Sequence, residues 1–345
     1  MQSLPLTSEV QLTIADRQFL AYHPELHHYT TLPGLEGIIR SNSLWAFHFS
    51  DLNDITEVTL FREPLLRAVT ESFADVIKTK EPASLYIQQA IRANGGIESF
   101  AERVAKDFVE GLYKVTFENN RSFSFAEPFI ASFCSHASDQ SYEKKHGLLS
   151  QWRGYGAGGG YCIVFDTLKL SELLVLEFDK YYWIYLQIAP VHYALDTANV
   201  RNLFPKVIER CDYFIAGLLE GTVPPPADDA FAPFVAAATL FKHYAFSEER
   251  EVRIVAIPGS DEIQKAAQAE YPDQFKALPL KDIRMRDAGN GKRRFIALFE
   301  TLGAQLPIKR VIVGPSRHQN ENYERAKTLL GQVAPVSLSA TPFIG

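Results

Sequence analysis

The sequence predicts an α+β fold in which a central mixed or antiparallel sheet is decorated with helical insertions. Two patterns support this prediction. Apolar and polar residues alternate at helical spacing through residues 58–120 and 200–245, whereas short runs rich in β-branched and aromatic residues have the length of strands. The chain has 345 residues, enough to bury a large core, so we expect one elaborated domain over residues 1–345.

The predicted elements follow from local patterns. A helix is expected to begin near Pro33, because proline fits the first helical turn, and to bury Leu35, Ile38 and Ile39. The insertion at residues 58–120 and the segment at 200–245 are expected to be helical. Strands are expected at residues 129–134, 161–166, 183–193, 251–258 and 309–314.

The composition excludes several classes of protein. A hydrophobic fraction of 46% excludes disorder as the main state, and a net charge of -6 gives no basic field for tight nonspecific binding to nucleic acid or acidic membranes. A local basic groove is still compatible with this charge. The apolar runs are short, and the N-terminal stretch MQSLPLTSEVQLTIADR has acidic residues where a signal peptide needs a basic region and an apolar stretch. We therefore expect a cytoplasmic protein without a membrane partner.

The three cysteines are Cys134, Cys162 and Cys211. They are odd in number and widely spaced, and no CxxC or paired Cys and His spacing accompanies them. We therefore expect core thiols, with neither a disulfide framework nor a zinc site.

The first candidate site segment is HHYT at residues 27–30. His28 and Thr30 could hydrogen-bond a ribose or a carbonyl, and Tyr29 supplies an aromatic face. The alternative is a surface or core histidine with its tyrosine packed inward.

The second candidate segment is LNDITE at residues 52–57. Asn53 and Asp54 are strong turn formers, and Glu57 follows at helical spacing. An ordinary helix cap and a polar pocket beside Trp45 are both compatible with this pattern.

The third candidate segment, residues 151–166, contains five glycines between Trp152 and a predicted strand. Phosphate-binding glycine loops lead into a helix, and the spacing here fits neither GxGxxG nor GxxxxGK[ST]. A flexible turn, or a backbone that passes close to a ligand, is the preferred interpretation.

The fourth candidate segment is SEEREVRI at residues 247–254. If it is extended, alternation places Glu249, Glu251 and Arg253 on one face. The two carboxylates repel, so the pKa of one should rise unless Arg253 compensates, and a carboxylate tuned in this way could stabilise a cationic transition state. The alternative is an exposed edge strand with ion pairs.

Taken in order, these segments resemble a widespread bacterial family of domains of unknown function. Its members carry a similar string of HYT, LNDxxE, CFS, tryptophan followed by HY or GY, and KxxxWxxExExR. The resemblance covers about residues 27–330, and Lys242, Phe246, Glu249, Glu251 and Arg253 fit the last motif. The chain departs from the family at Phe246, where tryptophan is usual, and in a larger insertion between LND and SFC.

That family is similar in layout to ADP-ribosyltransferases, including toxin-like enzymes that modify DNA. The similarity implies that Glu251 is catalytic with Glu249 upstream, and that the substrate NAD is bound by residues in the earlier motifs. His28 would contact the nicotinamide ribose, Tyr29 and Tyr155 the nicotinamide, and Ser132 or Ser135 would belong to the middle strand. The NAD-binding set expected on these grounds is His28, Tyr29, Thr30, Asn53, Asp54, Ser132, Ser135, Trp152, Tyr155 and Arg253.

The leading functional hypothesis is an NAD-using ADP-ribosyltransferase or NAD glycohydrolase, in the setting of a toxin or phage-defence effector. The sequence does not distinguish a protein, a nucleic acid or water as the acceptor. A second hypothesis is a non-catalytic module that binds a nucleotide or a partner protein. A third is a nuclease or other hydrolase that holds a divalent metal with Asp54, Glu57 and Glu249, although no recognised metal spacing is present.

Overall fold

The structure is a computed structural model of the chain. The residues that it describes are 14–51, 56–80, 82, 84–118, 127–136, 141–156, 159–194, 200–222, 228–270, 272, 276–288 and 291–342.

Helices make up the larger part of the described chain. A π-helical turn, Lys114–Glu118, follows the sixth helix, and short 3-10 helices lie at Phe49–Asp51 and Tyr244–Glu249. The α-helices are α1 (Ile14–Tyr22), α2 (Leu32–Ser41), α3 (Thr56–Leu60), α4 (Arg62–Thr79), α5 (Leu85–Ala93), α6 (Ile97–Tyr113), α7 (Ser141–His146), α8 (Leu149–Tyr155), α9 (Thr167–Lys180), α10 (Val200–Leu203), α11 (Pro205–Glu220), α12 (Asp228–Thr239), α13 (Asp261–Glu270) and α14 (Gln319–Leu330).

The strands are shorter and several are almost completely buried. They are β1 (Glu25–Thr30), β2 (Leu44–His48), β3 (Phe129–Cys134), β4 (Tyr161–Asp166), β5 (Trp183–Pro190), β6 (His192–Ala194), β7 (Phe241–His243), β8 (Glu251–Pro258), β9 (Arg284–Ala288), β10 (Gly291–Leu298), β11 (Ile308–Val313) and β12 (Val336–Leu338).

The chain divides into two compact units. Unit 1 consists of Met1–Ser41, Phe133–Leu173 and Gln305–Gly345, and unit 2 consists of Asn42–Ser132 and Leu174–Ala304. Whether the chain acts as the single domain expected from its sequence stays a prediction.

Unit 1 is built on a mixed sheet in the order β12-β11-β4-β1. The β11–β12 pair is parallel, and β4 is antiparallel to both β11 and β1. Every residue from Tyr161 to Phe165 on β4 is fully buried, which explains its continuous run of apolar residues. Beyond β1, Cys134 at the end of β3 pairs with His27.

Unit 2 combines strands with a helical core. Antiparallel pairs join β2 to β10, β10 to β9, β2 to the start of β3 and β5 to β8, whereas β6 and β7 are parallel. Helices α4, α6, α11 and α12 contribute most of the buried side chains of the helical core, such as Phe73, Val109, Ile215 and Phe234. The apolar stripes read from the sequence are the faces that meet there.

The mixture of helices around a mixed sheet and most element positions predicted from the sequence are confirmed, whereas an ADP-ribosyltransferase-like layout stays a prediction. The fold is mixed α and β with a mixed sheet, β3, β4 and β8 have the predicted bounds, and α2 buries Leu35 and Ile38. The predicted strand at 183–193 is two strands, β5 and β6, separated at Val191. The helical segment predicted to reach residue 245 ends earlier, since α12 ends at Thr239 and β7 follows.

The environment of the cysteines also agrees with the prediction. Cys134, Cys162 and Cys211 are buried and form no disulfide. Of the helices in the described part of the chain, none is both long and apolar enough to span a bilayer.

Candidate functional site

The residues of the KxxxWxxExExR motif converge within unit 2. Lys242 lies on β7, Phe246 and Glu249 lie on the 3-10 helix that follows it, and Glu251 and Arg253 lie on β8. Arg250 has a φ of 44° and lies between the 3-10 helix and β8. Glu249 is therefore not part of an extended segment with Glu251, and the expected strand alternation applies to Glu251 and Arg253 only.

Lys242 joins the two carboxylates. Its Nζ lies 2.6 Å from Oε2 of Glu249 and 3.2 Å from Oε2 of Glu251. The same Nζ lies 4.7 Å from the centre of the Phe246 ring, which is a cation–π distance. The turn between β7 and β8 thus brings together side chains that a continuous strand would have spread along one face.

Arg253 binds Glu251 from the other side. Its Nε donates to Oε1 of Glu251 at 2.7 Å and its Nη2 to Oε2 at 2.9 Å, in the two-point geometry that guanidinium and carboxylate favour. The third nitrogen, Nη1, donates to the carbonyl of Thr239 at 2.6 Å. Tyr193 supports the strand, because its hydroxyl oxygen accepts the backbone N–H of Glu251 at 2.8 Å.

The ion pairs with Arg253 and Lys242 determine the protonation state of Glu251. Burial would raise the pKa of this carboxyl, but the positive charges of Arg253 and Lys242 and hydrogen bonds from Arg253 and Ser132 lower its pKa to about 2. Glu251 is consequently ionised at neutral pH, and Arg253 compensates for the repulsion between the carboxylates.

The two carboxylates differ in access to solvent. The side chain of Glu249 is 22% exposed, whereas that of Glu251 is only 7% exposed. Lys242, Glu249, Glu251 and Arg253, here called the charge cluster, contain two cations and two anions. A ligand that approaches the charge cluster from solvent would meet Glu249 before Glu251.

Among the residues predicted for the earlier motifs, Tyr29 and Trp152 lie in the core of unit 1. Their rings meet edge to face with centroids 4.8 Å apart, and both side chains are buried. The Tyr29 hydroxyl accepts the backbone N–H of Leu148 at 2.7 Å, and Trp152 Nε1 donates to the carbonyl of His146 at 2.9 Å. These contacts describe a packed aromatic pair in which each ring has a backbone hydrogen-bond partner. A role of either ring in binding NAD stays a prediction.

The other predicted residues of unit 1 have different environments. The ring of His28 lies 5.7 Å from that of Phe133, Tyr155 is 45% exposed at the end of α8, and Thr30 ends β1. Ser135 is buried, and its hydroxyl lies 2.8 Å from Nδ1 of His23. Their assignment to NAD binding also stays a prediction.

Gly147, which precedes α8, and Gly314, which follows β11, allow close packing around Trp152. A side chain at Gly147, whose φ is +78°, would come within 2.6 Å of the indole, and one at Gly314 would come within 2.7 Å. The contact of Gly314 with Trp152 could not be read from the sequence, because the two residues are remote along the chain. Neither Gly147 nor Gly314 belongs to the glycine-rich segment at residues 151–166, whose close approach to a ligand stays a prediction.

Two of the predicted site residues, Asn53 and Asp54, lie outside the described residues, and the side chain of Glu57 is not described either. Within the described residues, no group of three His, Cys, Asp or Glu side chains could hold a metal ion.

Comparison with known proteins supports the family resemblance. Residues 151–254 match a family model described as a protein of unknown function (DUF2971), and the predicted similarity to a family of domains of unknown function is thereby confirmed. The matched range contains the whole charge cluster. No curated protein and no solved structure matches the chain.

Two contributors to the cluster were not predicted from the sequence. The hydroxyl of Tyr193 and the carbonyl of Thr239 hold Glu251 and Arg253 through bonds that depend on tertiary contacts. Lys242 had a signal in the sequence, since it occupies the first position of the last motif.

Proposed function

We propose that the chain uses NAD, as an ADP-ribosyltransferase or an NAD glycohydrolase of ADP-ribosyltransferase-like layout. The observation that carries this proposal is the hydrogen bond between Ser132 and the ionised Glu251. The resemblance assigns a serine of the middle strand and a glutamate of a late strand to one site, and Ser132 on β3 and Glu251 on β8 are such a pair.

The reaction places positive charge where this site offers negative charge. The bond between C1′ of the ribose and the nicotinamide nitrogen breaks, and its electron pair leaves with neutral nicotinamide. The ribose becomes oxocarbenium-like until water or another nucleophile attacks C1′ and gives up a proton. A fixed carboxylate beside the ribose stabilises that developing charge.

We assign different roles to the two carboxylates because they differ in solvent exposure and in ion pairing. The charge of Glu251 is balanced by Arg253 and Lys242, and its side chain is almost inaccessible. In the proposed reaction Glu249 therefore contacts the ribose, while Glu251 acts as a positioning residue that fixes Lys242 and, through it, Glu249. This assignment differs from the resemblance, which gives the catalytic role to Glu251.

The test is release of nicotinamide from NAD by the purified chain, alone and with protein or nucleic-acid acceptors. We expect release by the wild type and a loss of at least about a hundredfold in Glu249→Gln, in line with the usual cost of removing a charge-stabilising group. Glu262→Gln, an exposed carboxylate of α13, is the matched control and should release nicotinamide like the wild type. No release by the wild type with any acceptor, or equal release by Glu249→Gln, would overturn the proposal.

The balance of charges favours one alternative, a non-catalytic module that binds a nucleotide or a partner protein. Two cations neutralise two carboxylates in the charge cluster, which leaves no net charge for catalysis. A rise in melting temperature with NAD, without nicotinamide release, would favour this alternative over the enzyme.

A further inference from the structure

The outward face of β2 carries aromatic side chains where polar ones are usual. Leu44, Ala46 and His48 are buried, while Trp45 and Phe47 alternate with them and are partly exposed. In an antiparallel sheet with one buried face, the other face is ordinarily polar. Trp45 and Phe47 occupy two successive outward positions and are partly exposed. This pattern is typical of a ligand-binding surface.

The register of the neighbouring strands places arginines on the same face. Phe47 pairs with Phe295 on β10, and Phe295 pairs with Arg284 on the edge strand β9. Two residues away from the Phe295–Arg284 pair on each strand, Arg293 on β10 pairs with Arg286 on β9. Residues opposite one another in a sheet share a face, so one surface of unit 2, here called the aromatic–arginine face, is formed by Trp45, Phe47, Phe295, Arg284, Arg286 and Arg293.

The aromatic rings form a connected layer. Trp45 stacks on Phe295 with ring centroids 4.4 Å apart, and Phe47 lies 6.4 Å from Trp45. The guanidinium of Arg286 lies 5.5 Å from the centre of the Trp45 ring. An exposed guanidinium beside partly exposed rings offers planar groups on which a nucleobase can stack.

Two of the three arginines have charge available for a ligand. Arg284 is bound to Glu300 at 2.9 Å and 2.6 Å, whereas Arg286 and Arg293 form no ion pair with a carboxylate in the part of the chain that the structure describes. Unbalanced guanidinium groups beside aromatic rings complement a polyanion that also has flat apolar faces.

We propose that the aromatic–arginine face of unit 2 binds single-stranded nucleic acid. The bases stack on Trp45, Phe47 and the Arg286 guanidinium, and Arg286 and Arg293 contact phosphates. A duplex fits this surface less well, because its bases are already stacked and paired and offer only their edges. This proposal uses none of the charge-cluster residues and does not depend on NAD cleavage.

Fluorescence anisotropy with labelled twenty-nucleotide dT and rU strands, and with a duplex of equal length, tests the proposal across a range of salt concentrations. We expect both single strands to bind more tightly than the duplex, and Trp45→Ala to weaken binding by about tenfold. Trp152 and Trp183 are buried, so the single strands should quench the emission of Trp45. In Trp45→Phe the quenching should disappear while binding remains.

The charge contribution has a matched control on the same strand. The double variant Arg286→Gln, Arg293→Gln should reduce the slope of log affinity against log salt by about 1.4, which corresponds to two lost phosphate contacts on a single strand. Lys292→Gln removes an adjacent positive charge from the opposite face of the sheet, where Asp287 is the register partner of Lys292, and should leave the slope unchanged. Unchanged circular dichroism would show that the variants fold.

Three results would overturn the proposal. They are the absence of saturable binding to either single strand, a duplex affinity equal to or higher than that of the single strands, and a change in slope for Lys292→Gln as large as that of the double variant. The last two would indicate a general attraction to phosphate charge rather than this face.

Discussion

The two motif-bearing regions of the chain bury polar groups in opposite ways. In unit 1, the segment around His27 and Tyr29 is buried in uncharged form: burial, with the charges of His136 and Arg310, lowers the pKa of His27 to about 3, and burial raises the pKa of Tyr29. In unit 2, Glu251 is buried as an anion with a pKa of about 2, because Arg253 and Lys242 accompany it.

The polar groups of the unit 1 motif therefore contribute mainly to packing, whereas those of the unit 2 motif contribute mainly to electrostatics. A neutral histidine and a tyrosine buried in a sheet contribute through packing, and Nδ1 of His27 has no hydrogen-bond partner among the described residues. A cluster of fixed charges with one accessible carboxylate can instead respond to charge on a ligand. The proposed chemistry therefore rests on unit 2.

The largest effect is expected for Glu251→Gln in unit 2. Removal of the carboxylate charge leaves the buried guanidinium of Arg253 facing a neutral amide instead of an anion, which should lower the free energy of unfolding by about 3–5 kcal/mol. Urea unfolding measures the change, with exposed Glu262→Gln as the control. A loss below about 1 kcal/mol would mean that the ion pair contributes little.

The second-largest effect is expected in the pH dependence of the free energy of unfolding, which His27 in unit 1 causes. Its pKa is 6.5 in the unfolded chain and about 3 in the folded chain, so the unfolded chain binds a proton that the folded one does not. The contribution of neutral His27 is complete above pH 6.5 and is lost as the pH falls towards 3. Glu251 titrates in a lower window, because its pKa is lowered from the ordinary value of 4.5 to about 2.

Unfolding measured between pH 6.5 and 4.5 isolates His27 when the wild type is compared with His27→Phe. The stability of the wild type should fall more steeply, with a difference approaching about 1.4 kcal/mol per pH unit for one proton. His318→Gln, at an exposed histidine, serves as the control. Parallel curves for the wild type and His27→Phe would show that His27 is not buried in neutral form.

A smaller loss is expected when the packing around Trp152 is disturbed. Gly147→Ala introduces a Cβ within 2.6 Å of the indole at a φ of +78°, and this overpacking should cost about 2 kcal/mol beyond the backbone strain. Gly221→Ala is matched, because Gly221 has a similar φ of +66° and open space around it. Equal losses of stability in urea would remove the evidence for a tight fit at Trp152.

The smallest effect is expected at Phe246. This ring is 38% exposed and lies against Lys242, and tryptophan, usual here in the resembled family, gives a stronger cation–π contact than phenylalanine. Phe246→Trp should therefore raise the free energy of unfolding by about 0.5 kcal/mol. A decrease would show that the larger ring does not fit beside the charge cluster.

Local patterns predicted the fold better than the site. The runs that became β3, β4 and β8 were recognised because strand formation depends on residues that are neighbours in sequence. The contact of Lys242 with Glu249 depends on the 3-10 helix and the left-handed Arg250, which periodicity does not encode. Tyr29 meets Trp152 only through tertiary packing, so the sequence could not decide between a binding face and a core pair.

The most direct test of the account is a parallel measurement of nicotinamide release and of urea unfolding in Glu249→Gln. Glu249 is the more exposed carboxylate of the charge cluster, so its removal should change the free energy of unfolding by less than about 1 kcal/mol. We predict that nicotinamide release is nevertheless lost by at least about a hundredfold. Release that stays at the wild-type rate, or that declines only as far as the folded fraction declines, would contradict the account.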